Sequence, residues 1–251
     1  WYRFVLSFPP HLIRDYVEKF SLGAGQCILD PFCGTGTTLV EAKKLGLASA
    51  GIEANPVVHF AASVKTDWSV DPQGLVSYVS EIAADAQEIF DAQGIGSGPL
   101  FRQPGYPPVT LKTLSPDLER LLIKDSISPL PLHKVLTLLE MLAAKPDHRF
   151  MRHARLGLAK QIVYEISNLR FGPEIGVGKL KHDAPVPQLW LKGVRSMAAD
   201  LEQASALPFT PSKVHLGDAR NPGLFLRPAS IDAVITSPPY PNEKDYSRTT
   251  R

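Results

Sequence analysis

The sequence predicts an α/β fold built on an open, mostly parallel sheet. Two stretches carry that prediction. Ile28-Leu-Asp30 reads as the end of a buried strand and runs straight into a turn containing Gly34 and Gly36. The stretch Thr37–Leu45 then reads as a helix starting directly after the turn. A strand, a Gly-rich turn and a helix N-terminus together make a cofactor-binding corner of such a sheet. Near the chain end, Ile231-Asp-Ala-Val-Ile-Thr-Ser-Pro-Pro-Tyr240 reads as a short buried strand, 233–236, running into a loop stiffened by two prolines. Open α/β sheets place their chemistry at the C-terminal ends of strands, where this loop falls.

The corner excludes two common nucleotide sites. No Gly-Lys-Ser/Thr follows the glycines, so it is not a P-loop, and the third glycine of a dinucleotide fingerprint is absent. The next strand, Ser49-Ala-Gly-Ile-Glu53, ends in an acid placed to hold ribose hydroxyls, which points to a nucleoside-containing cofactor.

With both stretches in view, the chain resembles the amino-methyltransferases that use S-adenosylmethionine to modify exocyclic nitrogens of nucleic-acid bases. Asp30-Pro-Phe-Cys-Gly-Thr-Gly-Thr-Thr38 looks like their cofactor motif, and Ser237-Pro-Pro-Tyr240 looks like their catalytic motif. The resemblance implies a Rossmann-like methyltransferase sheet and S-adenosylmethionine as cofactor. It implies cofactor contacts from Asp30, Pro31, Phe32, Cys33, Gly34, Thr35, Gly36, Thr37, Thr38 and Glu53, and from Ala54 and Asn55 beside the adenine. Asp218 and Ala219, after a short strand beginning at Val214, match the family's contact to the adenine amino group; a turn-capping Asp is the alternative for Asp218. Phe8 in the lead-in is a candidate at the methionine end or a core aromatic, and Asn55 a candidate contact or a helix cap.

The same resemblance assigns catalysis to Ser237, Pro238, Pro239 and Tyr240. Ser237 and the Pro238 carbonyl would accept the amino hydrogens, Pro239 would stiffen the loop, and Tyr240 would stack on a base flipped out of double-stranded DNA. Ser at the head of this motif favours cytosine N4 over adenine N6. Two other readings stand beside it: an RNA (tRNA) base methyltransferase, and a non-catalytic cofactor- or DNA-binding subunit.

Composition sets outer bounds. The chain has 251 residues, 44% of them hydrophobic, and a formal net charge of only +2, so a nucleic-acid surface must be a local patch. No apolar run approaches the about 20 residues that span a bilayer. The N-terminus has no signal-peptide pattern, and a cytoplasmic setting is expected. Cys27 and Cys33 suggest neither a disulfide framework nor a zinc site, and no metal is expected. Cys33, inside the turn, is read as a small packing residue.

In chain order, helices are expected over 11–20, 37–45 and 57–64, the last opened by Asn55 and Pro56. Residues 1–66 and 212–251 make the catalytic domain, and 67–211 an inserted, mainly helical subdomain that is a possible DNA-recognition region. Within it helices are expected over 72–93, 115–125, 130–144, 153–167 and 188–204. From Arg149 to Arg195 nine basic residues face three acidic ones, a surplus suited to phosphate contacts. A flexible Gly-rich loop, 168–179, carries Arg170, Phe171 and Lys179; with Lys181, Lys244 and Arg248 these are the candidate nucleic-acid contacts. His148, His153 and His182 lack metal-ligand spacing and are expected at the surface. The chain stops eleven residues after Tyr240, before the sheet of such an enzyme would be complete. The rest is expected from a continuation of the chain or from a partner.

Overall fold

In the computed structural model, residues 1, 9–96, 109–171 and 175–238 are described. They divide into two compact units: Trp1–Val70 with Asp200–Lys244, and Asp71–Ala199. The first holds the sheet. After helix α1 (His11–Lys19) come β1 (Cys27–Asp30), α2 (Thr37–Lys44), β2 (Ala48–Glu53) and α3 (Pro56–Lys65), and the chain returns much later to β5 (Ser212–Leu216) and β6 (Ala233–Val234). All neighbours are parallel, in the order β5-β2-β1-β6.

β1 is central and covered on both faces, as a parallel strand must be. Ile28 packs with Ile13 and Val17 of α1, Ala42, Leu47 and Ile235. Leu29, pointing the other way, packs with Ala50 and Ile52 and against Phe225, Leu226 and Ile231. Backbone pairing runs past the strand ends: Ile235 N–H donates to Leu29 O at 3.0 Å, and Cys33 N–H to Ile52 O at 3.1 Å. The flanking helices start and stop where local chemistry dictates. Asn55 caps α3 by accepting from Val57 and Val58 N–H, with Pro56 at the first helical position. Gly46, at φ +75°, ends α2: its N–H reaches Lys43 O and the next N–H, of Leu47, reaches Ala42 O. That pair of bonds needs a left-handed residue. The sheet flanked by helices is the Rossmann-like α/β arrangement expected from the sequence.

The second unit is mainly helical: α4 (Pro72–Ala92), a single turn α5 (Pro116–Glu119), α6 (Pro129–Ala144), α7 (Met151–Gln161) and most of α8 (Val186–Ala204). Asp71 caps α4 through Gln73 and Gly74 N–H. Trp190 of α8 is fully buried and donates its indole N–H to Ala154 O of α7 at 2.9 Å.

Four expectations are corrected here. The 168–179 segment contains an antiparallel hairpin, β3 (Leu169–Phe171) and β4 (Ile175–Val177). The helix expected over 115–125 stops at Glu119; Leu118, Leu121, Leu122 and Ile123 stay exposed, so no packed face holds so short a helix together. The helix expected over 153–167 starts at Met151, leaves α geometry after Gln161 and closes as a π turn, Ile162–Ile166, with Ser167 N–H on Ile162 O. His153 is fully buried in α7 rather than at the surface, because the α7 face carrying Ala154, Leu156 and Leu158 is the core face.

Gly51 of β2 lies opposite the turn that follows β1. A Cβ there would come within 2.8 Å of Cys33 Sγ and 2.9 Å of Leu39 Cδ2. Gly51→Ala is therefore expected to cost about 1–3 kcal/mol by overpacking, measured as a lower denaturation midpoint with the slope unchanged.

Candidate active site

The strand order fixes where a ligand can bind. From β1 the chain moves to β2 on one side, and β6 enters on the other. The crevice at the C-terminal ends of β1 and β6 is thus the topological switch point, the usual ligand position of an open α/β sheet. The Gly-rich turn leaves β1 at this edge, and Ser237-Pro238 leaves β6 at the same edge.

Asp30, the last residue of β1, is 1% exposed. Its Oδ2 accepts from Thr38 Oγ1 at 2.6 Å, and its Oδ1 from Thr236 Oγ1 at 2.6 Å and Phe32 N–H at 3.1 Å. Burial pushes its pKa up; the bonds from Thr236, Thr38 and Phe32 pull the other way, and Glu53 adds a smaller upward push. Asp30 therefore ties together the strand, the helix after the turn and the residue before Ser237.

The turn itself is closely packed. Gly36 is the N-cap of α2 at φ +82°, and a Cβ on it would lie 3.3 Å from Ala62 Cβ. Among the described residues no side chain caps α2, so its first N–H groups face the turn. Thr35 is buried and its hydroxyl accepts from Lys65 Nζ at 3.3 Å. Cys33 is buried against Leu39, Ala62 and Val214. Burial foremost, then the carboxylates of Asp30 and Glu53, holds its thiol well above the usual range, so it is a packing residue and a poor nucleophile. Pro31 is half-buried, while Phe32 is 46% exposed.

The second strand supplies the next wall. Glu53 Oε1 accepts from Asn55 N–H at 2.8 Å, and Ala54 is exposed beside it. The Asn55 side-chain oxygen is taken by the α3 cap. Beyond β5, Gly217 N–H bonds Glu53 O at 3.0 Å, which brings Asp218 and Ala219 to the same edge. Asp218 is clasped by Arg220 through its side chain and its N–H, and that guanidinium drives the carboxyl pKa down to about 2. Ala219 packs on the Leu29 cluster. Ser237 is half-buried and Pro238 exposed. Phe8, Pro239, Tyr240, Lys244 and Arg248 lie outside the described residues.

Of the candidate nucleic-acid residues of the other unit, Arg170 and Phe171 lie on β3, and Lys179 and Lys181 follow β4. Arg170 and Lys179 are exposed, and the Phe171 ring lies 5.2 Å from that of Tyr164. Lys181 donates from Nζ to Glu165 O. The hairpin has a built base: buried Asn168 donates from Nδ2 to Asp125 O and Ser128 Oγ and accepts Lys181 N–H on Oδ1.

Sequence reasoning overlooked Thr236 and Lys65. Thr236 stands next to the Ser237-Pro-Pro-Tyr240 motif, and a hydroxyl ending an apolar strand was the available signal. Lys65 offered none, because only the folded chain carries it to Thr35. A cavity of about 720 Å³ also opens in the unit that holds the sheet, lined by Trp1, Pro10, Lys65, Trp68 and Leu207 among others; among the described candidate residues only Thr37 reaches it.

A family profile described as DNA methylase, of the N6/N4 type, matches residues 3–62. Over that segment the chain is similar to the DNA methylases. The matched residues run from the lead-in through the Gly-rich turn and Glu53 into α3. The chain is also similar to the Type II methyltransferase M.BsoBI of Geobacillus stearothermophilus, 42% identical over 66 residues, 26% of this chain and 13% of that protein. It is similar to the Type II methyltransferase M.MjaII of Methanocaldococcus jannaschii, 41% identical over 59 residues, 24% of this chain and 11% of that protein. These matches thus span about an eighth of the relatives' length. Among the described residues no helix is long and apolar enough to cross a membrane.

Gly36→Ala places a side chain in a left-handed conformation against Ala62. It is expected to cost about 1–2 kcal/mol of stability, read as a lowered thermal midpoint.

Proposed function

We propose that this methylase segment works as a DNA amino-methyltransferase, moving the methyl of S-adenosylmethionine to an exocyclic base amine, cytosine N4 in preference to adenine N6. The observation that carries this reading is the shared edge: the Gly-rich turn and Ser237-Pro238 leave adjacent parallel strands, and Asp30 joins them through Thr236.

The residues at this edge suit that cofactor. The close-packed Gly36 turn lets backbone approach a ligand, and the uncapped start of α2 favours an anionic group such as a carboxylate. Glu53, with one oxygen held by Asn55 N–H, keeps the other for a ribose hydroxyl. Ala54 and Phe32 offer exposed apolar surface nearby, and Asp218 accepts the adenine amino group once Arg220 yields it. S-adenosylmethionine supplies a methyl group already activated by its sulfonium.

The protein's task is positioning. An exocyclic amine is a weak nucleophile because its lone pair is conjugated into the ring. Ser237 and the Pro238 carbonyl accept its two hydrogens, which favours a pyramidal nitrogen with its lone pair directed at the methyl. In-line attack by the amine would form the N–C bond as the donor's C–S bond breaks, with the electron pair staying on sulfur, and the nitrogen would release one proton to solvent. Tyr240 offers a stacking face to the target base, extruded from the duplex because a paired base cannot reach such an edge. Cys33, buried and held protonated, takes no part, unlike a cysteine nucleophile of C5 methylation. Arg170, Phe171, Lys179 and Lys181, with Lys244 and Arg248, supply contacts to the DNA, and the insertion is the recognition region.

The test is methyl transfer by the natural full-length protein to unmethylated genomic DNA and to total tRNA, read as modified nucleosides by mass spectrometry. N4-methylcytosine in DNA is expected, reduced by about 10²-fold or more in Ser237→Ala, the scale of losing a positioned group at the reacting atom. N6-methyladenine would reassign the base, and product only in tRNA would reassign the substrate.

A further inference from the structure

We infer that Thr236 is a positioning residue that holds the Ser237-Pro238 loop in register with the Gly-rich turn, through its hydroxyl on the buried carboxylate of Asp30. The inference rests on the proposed methyl transfer for its catalytic meaning, but its structural content stands alone.

Three observations support it. First, β6 is short: regular pairing with β1 ends at Val234, and Ile235 N–H to Leu29 O is the last backbone bond described between them. Beyond that point the described bond joining the loop to β1 is Thr236 Oγ1 to Asp30 Oδ1, 2.6 Å. Second, Asp30 is held from all sides. Thr38 of α2 and Phe32 N–H of the turn take the rest of its carboxylate, so a displacement of the turn or of α2 is felt at Thr236. Third, the site is 1% exposed at Asp30, so water does not readily replace a lost hydroxyl.

The chemistry explains why a hydroxyl belongs there. The Pro238 carbonyl and Ser237 must lie within hydrogen-bond reach of one amine, while the turn places the methyl donor. Both depend on one carboxylate, which converts two separate loops into one frame. Asp30 so acts on the loop through Thr236, and its oxygens are engaged by the chain's own donors.

The experiment compares wild type, Thr236→Val, Thr236→Ser and, as a control on the other arm of the carboxylate, Thr38→Val, all in the full-length protein. Hydrogen exchange of the peptide covering 234–238 is read alongside kcat and cofactor Kd. Thr236→Val is expected to speed exchange there by about tenfold or more. It should also lower kcat by about 10- to 100-fold, as sub-ångström misplacement does, with cofactor Kd within about twofold. Thr236→Ser, which keeps the hydroxyl, is expected to restore both, and Thr38→Val, which acts on the loop only through Asp30, to speed exchange at 234–238 clearly less than Thr236→Val does. Thr236→Ala takes the place of Thr236→Val if that variant does not fold.

Unchanged exchange in Thr236→Val, failure of Thr236→Ser to restore it, or an equal effect from Thr38→Val would each overturn the inference. If the wild type transfers no methyl to any nucleic acid, the proposed function fails, and the exchange rates still decide the role of Thr236.

Discussion

A carboxylate without water is costly, and Asp30 carries one at the end of the central strand. Burying such an anion unpaired costs several kcal/mol. Here two threonine hydroxyls and one backbone N–H offset that cost, and each comes from a different piece of the site: the α2 helix, the Gly-rich turn and the β6 loop. The charge therefore acts as a constraint. The three pieces satisfy it together only when β1, α2 and β6 are in their native places. Geometry at the candidate site is thereby tied to the stability of the sheet.

The rest of the corner follows from how closely things approach Asp30. β2 reads Ala48-Ser-Ala-Gly-Ile-Glu53, and its small residues leave room for the turn. Cys33 fills the space over Gly51, and Gly36 lets α2 begin against Ala62 of α3. A turn packed this way presents backbone rather than side chains to a ligand, which suits a cofactor recognised by its carboxylate, ribose and adenine. The same packing removes the Cys33 thiol from chemistry, because a thiolate there would be desolvated and would face Asp30 and Glu53.

The inserted unit follows another logic. Its helices bury Trp190, Leu138, Leu142 and Phe90 in a core of their own, with Lys134 buried beside them on Asp183, while Arg170 and Lys179 stay exposed. The hairpin stands on Asn168, whose amide satisfies two loops at once. Exposed Arg170 stands on β3 of that hairpin, and a cationic side chain on a paired strand loses less entropy on meeting phosphate than one on a slack loop.

Much of this was legible in the sequence because it is local. The Gly-x-Gly turn, the Asn55-Pro56 helix start, the Gly46 stop and the strand before Ser237 each depend on a few adjacent residues whose conformational preferences point one way. The parallel sheet followed from apolar strands alternating with helices. The hairpin over 169–177 was hidden because strand pairing in so short a ribbon is decided by its anchor, Asn168, and not by its glycine-rich composition. The exposed run 118–123 has a helical pattern but no surface to bury it, which no local rule reveals. His153 turned inward because the face of α7 was chosen by packing. By itself the sequence determined the strand-turn-helix corner and the fold class. Only the tertiary structure decided that Asp30, Thr38 and Thr236, drawn from positions up to 206 residues apart, share one buried hydrogen-bonded charge, because the stabilisation of a buried carboxylate depends on which donors surround it in space.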